Sequence, residues 1–291
     1  MTTNVDTRST PPAPTAPCSE AIGRSRRIAS HPLTWRLAPV LVAAVIAAVY
    51  LLVQPHTVDL AASVFRARLF GEAGFTIWNN SWYSGHPTWS YSVLVPPLAW
   101  LLSPVLLGAI SGVVSAALFE PLARRHFGER AARWGALWFG AGALTPALSG
   151  RITFAAGVAA ALGSLLAVQR GRASLGCLLA LATGLLSPIA GLFLALGAFA
   201  YALAGARRVG LAMTAAALAP PALVSLFFPD GRSGPFVFSA FWPVPLFALA
   251  FFAALPARER TLRIGALLYA LAAVGAFAIT TPMAGNAVRL G

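Results

Sequence analysis

Residues 37–53 read LAPVLVAAVIAAVYLLV, an apolar run without one charged side chain, and Arg24, Arg26, Arg27 and Arg36 stand just before it. About 20 apolar residues in a helix cross the hydrocarbon of a bilayer. Runs of the same kind recur through the chain, at Pro104–Leu122, Trp134–Ser149, Thr153–Val168, Leu175–Leu186, Pro188–Ala204, Val209–Phe228, Phe236–Leu255 and Ile264–Thr281. Together they predict an all-α fold, a polytopic bundle of about nine transmembrane spans. Composition points the same way: of 291 residues 58% are hydrophobic and only 10% charged. A soluble domain carries roughly 25% charged residues to cover its surface. Here lipid must be the solvent for much of that surface.

The formal net charge of +13 raises nucleic-acid binding, and the distribution of charge argues against it. All 21 basic residues are Arg, set singly or in small groups between the apolar runs. A phosphate-tracking surface needs a patch or stripe, whereas loops on the cytoplasmic side of a membrane need this scatter. With the N-terminus inside, the inner segments hold sixteen arginines (8, 24, 26, 27, 36, 124, 125, 130, 133, 170, 172, 207, 208, 258, 260 and 263). The outer segments hold Arg66, Arg68, Arg151, Arg232 and Arg289. That bias alternates in step with the runs and predicts an N-in, C-out topology. Arg without Lys in an Ala- and Gly-rich chain further suggests a high-GC bacterial genome, and hence the bacterial cytoplasmic (inner) membrane.

Residues 1–34 read as a disordered cytoplasmic tail, with Thr, Pro and Ala prominent, and 35–291 as the transmembrane domain. The tail is not a signal peptide, because its apolar core begins too late and no small-residue cleavage site follows. Cys18 and Cys177 have neither disulfide nor metal-ligand spacing. Residues 175–204 admit two readings, one helix kinked at Ser187-Pro188 or two short helices in a hairpin. Arg170 and Arg172 before it and Arg207 and Arg208 after it favour the hairpin.

Most of the polar chemistry falls in the first outer segment, residues 54–91. Val58–Phe70 has helical periodicity: Leu60, Ala61, Val64, Phe65 and Leu69 form one face, Asp59, Ser63 and Arg66 the other. Such a helix is expected to lie at the interface with its apolar face in lipid or on the bundle. Asp59 and Arg66 are about two turns apart and could address one ligand. Downstream, Trp78, Asn79, Asn80, Trp82, Tyr83 and His86 combine flat ring faces with amide and imidazole groups, a set suited to a sugar ring or a phosphorylated lipid headgroup. Trp and Tyr also serve as plain interfacial anchors, but an anchor belt needs no Asn, His and Gly at this density. Tyr91–Leu98 is expected to dip toward the membrane. At the C-terminal end Asn286 and Arg289 have i,i+3 spacing, which would let Arg289 reach a phosphate on the same side. Pro229–Pro235 reads as a turn.

These residues carry a resemblance. The Asp59-Leu60-Ala61-Ala62 helix after the first span, the stretch Gly74–His86, Tyr91-Ser92, Pro96-Pro97-Leu98, Ser187–Gly191 and Gly285–Leu290 resemble the GT-C superfamily of membrane glycosyltransferases, in a shortened form. The likeness implies a transferase that uses a polyprenyl-phosphate sugar donor on the outer face for envelope glycan or glycolipid assembly. It also implies that an acidic residue of the first outer loop acts on the acceptor, and Asp59 matches that position. Glu72 is a second acid in the loop. The chain departs from the pattern in having no Asp-x-Asp or adjacent acid pair. Arg66 and Arg289 would then bind phosphate, with Trp78, Asn79, Trp82, Tyr83, His86 and Asn286 around the substrate. No cofactor is expected, and no Walker loop, paired metal-binding His or Gly-x-Ser-x-Gly turn occurs.

Two further classes compete. A non-enzymatic membrane subunit or scaffold would use the Gly- and Ala-rich helix faces against a membrane-protein partner or a second copy. A lipid or solute transporter would need ionisable groups inside the spans, which are nearly absent here.

Overall fold

The computed structural model describes residues 33–81, 85–228 and 236–279. All but the last two residues of the predicted tail therefore lie outside the described residues. In chain order the helices are α1 (Leu33–Val53), α2 (Val58–Ala73), α3 (Val95–Leu102), α4 (Pro104–Phe127), α5 (Glu129–Gly142), α6 (Thr145–Leu148) and α7 (Ile152–Gln169). They continue as α8 (Ala173–Leu186), α9 (Pro188–Leu203), α10 (Arg207–Phe227), α11 (Phe238–Phe241), α12 (Pro243–Ala254) and α13 (Arg260–Ala278). Between α2 and α3 lie a two-stranded antiparallel hairpin, β1 (Trp78–Asn79) with β2 (His86–Pro87), and one 3-10 turn, Thr88–Ser90. Five helices, α1, α4, α7, α10 and α13, are long and apolar enough to cross a membrane. Helices α8 and α9, and the pair α11–α12, are shorter apolar segments.

The faces of α1 show which solvent the bundle is built for. Ala43, Ala47 and Tyr50 are buried, Tyr50 to 1% exposure, while Leu41, Val45, Val49 and Leu52 point outward, Leu52 at 85%. Branched apolar side chains outside, with two alanines and one tyrosine inside, reverse the order of a soluble helix. Lipid tails are as apolar as leucine, so helix association there depends on close backbone approach through Ala and Gly.

Helix starts and stops follow from local chemistry. Ser103 and Ser187 each accept a hydrogen bond from a backbone N–H three residues on, and each is followed by Pro at the first helical position. Thus α4 and α9 begin with the same Ser-Pro device. Helix α4 ends at Gly128, whose φ of 84° only glycine adopts readily. The run Trp134–Ser149 is divided into α5 and α6, and Phe236–Leu255 into α11 and α12, with Pro146 and Pro243 near the restarts.

Residues 175–204 form a hairpin. A Cβ on Gly191 would lie 3.0 Å from the Gly184 Cα, an approach that seven residues of continuous helix, about 10 Å long, cannot make. Pro221, lacking an N–H, leaves the Ala217 carbonyl of α10 without its helical donor. Gly184 and Gly191 bring backbone up to that same oxygen. Hydroxyls inside the bundle are satisfied locally or between helices: Ser111 donates to Leu107 O, Thr183 to Leu179 O, and Ser164 across to Gly176 O at 2.7 Å.

Side-chain contacts sort the two ends of the bundle. At one, Arg36 meets Glu129 (2.6 Å), Arg133 covers the Trp35 ring, Gln169 donates to Leu122 O, and His126 meets Glu259. At the other, Asp59 meets Arg151, Val93 N–H donates to Leu185 O, and Trp89 touches Phe228. Twelve of the fifteen described arginines belong to the first end, and only Arg66, Arg68 and Arg151 to the second.

Candidate functional site

Helix α2 sits across the arginine-poor end. Of the two facings the hydrophobic pattern leaves open, lipid or bundle for the apolar face, the structure turns much of the polar face toward the bundle. Ser63, Arg66 and Ala67 are buried, Arg66 to 9% exposure, whereas Ala61 is exposed and Val64 is 39% exposed. Leu60 alone of the expected apolar face packs against the main core. Ala67 joins Val95 and Ala99 of α3 in the main apolar core, while Arg66 beside it turns toward aromatic rings. A polar face that a helix turns inward, toward its own protein, is available to build a site.

Asp59 lies in the first turn of α2, where the helix macrodipole favours a carboxylate. Its Oδ2 accepts a hydrogen bond from Arg151 Nε at 3.2 Å, both side chains being half-exposed. Arg151 comes from the turn between α6 and α7, and the backbone brings it there through Gly150, whose φ is 78°. A Cβ at Gly150 would run into Thr57 Oγ1 and the Leu60 backbone nitrogen at the start of α2. The turn therefore seats directly on the helix N-terminus, and only glycine fits the junction.

About 10 Å further along α2, by helical rise, Arg66 lays its guanidinium over the Tyr91 ring, 3.7 Å from the centroid. It shares a small cleft, with room of about 20 Å³, with Phe70, Phe75, Thr88, Trp89 and Ser92. Aromatic contacts run along this wall from Trp100 through Phe70 and Phe75 to Trp89 and Phe228, joining α3, α2, the 3-10 turn and the end of α10. The Trp89 Nε1–H is buried without a hydrogen-bond partner among the described residues. Below the cleft Ser92 locks the floor: its hydroxyl donates to Leu186 O at 2.8 Å and accepts from Val95 N–H. Val93 N–H adds a bond to Leu185 O. The segment expected to dip toward the membrane is thus tied to the tip of the α8–α9 hairpin.

The β-hairpin stands beside this cleft. Trp78 is 56% exposed, and its Nε1–H donates to Asn80 Oδ1 at 2.6 Å. Its ring lies against Gly85, where φ is 103° and a Cβ would strike the indole. The Asn79 side chain accepts from Ser81 N–H, and in the ladder Asn79 pairs with His86. The Thr88 hydroxyl donates to Thr76 O and so ties the hairpin base together. Trp82, Tyr83, Asn286 and Arg289 lie outside the described residues. Glu72 and His56 are exposed.

Of the residues singled out from sequence, Asp59, Arg66, Trp78 and Asn79 are therefore at one end of the molecule. Arg151, Tyr91 and Trp89 join them without having been singled out as site residues. Arg151 is 92 residues from Asp59, and a single arginine after Ser149-Gly150 carries no sequence signal for that partner. Chemically, the end offers an accessible carboxylate oriented by a guanidinium and, separately, a buried cation among aromatic walls. Among the described residues no three His, Cys, Asp or Glu side chains form a metal-binding group. No protein-family model matches the chain, nor does any curated protein or solved structure.

Proposed function

We propose that this protein is a membrane glycosyltransferase of the GT-C-like kind its sequence resembles, taking a sugar from a polyprenyl-phosphate donor. The observation that carries the reading is the inward-turned polar face of α2. It holds Asp59 at an accessible corner and Arg66 in an aromatic cleft of the same end. In this reading the donor phosphate is drawn to the Arg66 cleft and the sugar lies toward the exposed Trp78 ring. Asp59, oriented by Arg151, receives the proton of the acceptor hydroxyl. The acceptor oxygen bonds to the anomeric carbon, the bond from that carbon to phosphate breaks, and polyprenyl phosphate leaves.

The same reading sets the protein in a bacterial cytoplasmic membrane with about nine crossings. The arginine-rich end faces the cytoplasm, following the positive-inside rule, and the α2 end faces outward. Envelope glycan or glycolipid assembly would be its setting.

The test is a panel of polyprenyl-phosphate sugars offered to purified protein in nanodiscs, measuring binding and transfer. Asp59→Asn should retain donor binding and lower transfer by about 10²–10⁴-fold, the usual contribution of a positioned base. Folded wild-type protein that binds no donor, or an Asp59→Asn variant that transfers normally, would refute the proposal.

A further inference from the structure

A second opening lies at the arginine-rich end, far from α2. It is a half-open cleft of about 420 Å³ between the ends of α4 and α7 on one side and those of α9, α10 and α13 on the other. Its walls are almost wholly apolar, with Phe119, Leu122, Leu165, Val168, Met213 and Leu262 prominent. That volume falls in the range of roughly 300–1,000 Å³ typical of small-molecule sites, so the cleft has room for a ligand.

Polar groups gather only where the cleft nears the end of the bundle. His126 closes that side by meeting Glu259 at 2.9 Å, linking the end of α4 to the start of α13. Gln169 donates through Nε2 to Leu122 O, and its buried Oε1 has no hydrogen-bond partner among the described residues. Three lining residues, His126, Gln169 and Thr261, are each next in sequence to an exposed arginine, namely Arg125, Arg170 and Arg260. None of these three arginines has a carboxylate partner among the described residues. The described carboxylates of this end, Glu120, Glu129 and Glu259, already meet Arg124, Arg36 and His126. An apolar slot with three exposed arginines next to its polar end, unpaired with carboxylates among the described residues, has the polarity of one ligand class, a hydrocarbon chain carrying an anionic head.

We infer that this cleft holds an acyl chain of an anionic phospholipid from the leaflet at the arginine-rich end, its phosphate among Arg125, Arg170 and Arg260. Gln169 Oε1 is then an acceptor for a headgroup hydroxyl. The inference rests on the membrane placement above and not on the transferase reading, because the cleft and α2 are at opposite ends.

The experiment is a native mass spectrometry titration of delipidated full-length protein with dioleoyl phosphatidylglycerol, dioleoyl phosphatidylcholine and polyprenyl phosphate. Phosphatidylglycerol should bind one-to-one and in preference to phosphatidylcholine. Arg125→Gln and Arg170→Gln should each weaken it by roughly fivefold, the effect of one basic residue near an anionic lipid. Arg68→Gln, at the other end, should leave it unchanged. Leu165→Trp and Leu262→Trp, filling the slot from opposite walls, should abolish the one-to-one step. The surface arginine variants, which leave the core intact, give an answer even where a tryptophan variant misfolds. Equal binding of the two phospholipids, arginine variants that bind as wild type, undiminished binding to folded filled variants, or displacement by a lower concentration of polyprenyl phosphate would each overturn the inference.

Discussion

Replacing Gly150 by alanine should loosen the turn that carries Arg151 from the start of α2, at a cost of about 2–4 kcal/mol. Two physical terms make up that figure. At φ = 78° an L-residue meets its own carbonyl, a penalty of roughly 1–2 kcal/mol. The new methyl would also overlap Thr57 Oγ1 and the Leu60 backbone nitrogen. Backbone cannot rotate away as a side-chain tip can, so the turn or the helix must shift, and overpacking of this kind costs about 1–3 kcal/mol. Relaxation removes part of the sum. The assay is reversible unfolding in mixed micelles, with a double-mutant cycle between Asp59→Asn and Arg151→Gln in both backgrounds. In the wild-type background the half-exposed pair should couple by no more than about 1 kcal/mol, and in the Gly150→Ala background by nothing measurable. Gly135 in α5 is the control, since a Cβ there meets nothing within 4 Å. Its change to alanine should stabilise by about 0.5–1 kcal/mol. A Gly150→Ala protein as stable as wild type, with the Asp59–Arg151 coupling intact, would refute the seating of this turn on α2.

Three other perturbations test neighbouring parts of the argument. Ser92→Ala removes a buried hydroxyl bonded to both Leu186 O and Val95 N–H, and should cost about 1–3 kcal/mol in the same unfolding assay. Gly191→Val should break the α8–α9 hairpin, because even one carbon there lies 3.0 Å from Ala217 O and from the Gly184 Cα. A loss of more than about 3 kcal/mol is expected, and a silent Gly191→Val would instead favour a kinked continuous helix. Tyr91→Leu leaves the Arg66 guanidinium without its ring and should destabilise by about 2 kcal/mol, read as a lower unfolding midpoint.

The long helices were legible because composition and period both report them: α1, α4, α7, α10 and α13 stand where apolar runs of the right length stand. The hairpin at Ser187-Pro188 could be argued from flanking arginines, and a Ser-Pro start makes physical sense of it, since Ser187 caps α9 just as Ser103 caps α4. Facing was not legible for α2. Periodicity sorts residues into faces but does not say what the neighbouring backbone offers. Here Tyr91 and the Arg151 turn before α7 receive the polar face, the first uncharged and the second distant in sequence. The Asp59–Arg151 pair was hidden for the same reason. Its members are 92 residues apart, and the glycine that admits their approach has many other uses in a turn.

The burial of Arg66 separates a structural role from a binding one. Taking a guanidinium out of water costs several kcal/mol, and the ring beneath Arg66 together with its other contacts offsets part of that, so an apolar replacement tests whether stability alone accounts for it. A methionine at that position would fill similar length, carry no charge to desolvate and set its sulfur against the Tyr91 ring, a contact worth about 0.3–1.5 kcal/mol. Buried ionic groups replaced by apolar ones of similar volume are often neutral or stabilising. Arg66→Met should therefore unfold within about 1 kcal/mol of wild type while losing affinity for a phosphate-bearing lipid donor. The two readouts must separate for the binding role to stand. A protein destabilised by more than about 3 kcal/mol would show that Arg66 holds α2 in place through its polar contacts. A stable protein with donor affinity intact would remove the phosphate from this cleft altogether, and the search for its seat would then turn to the hairpin and to Arg151.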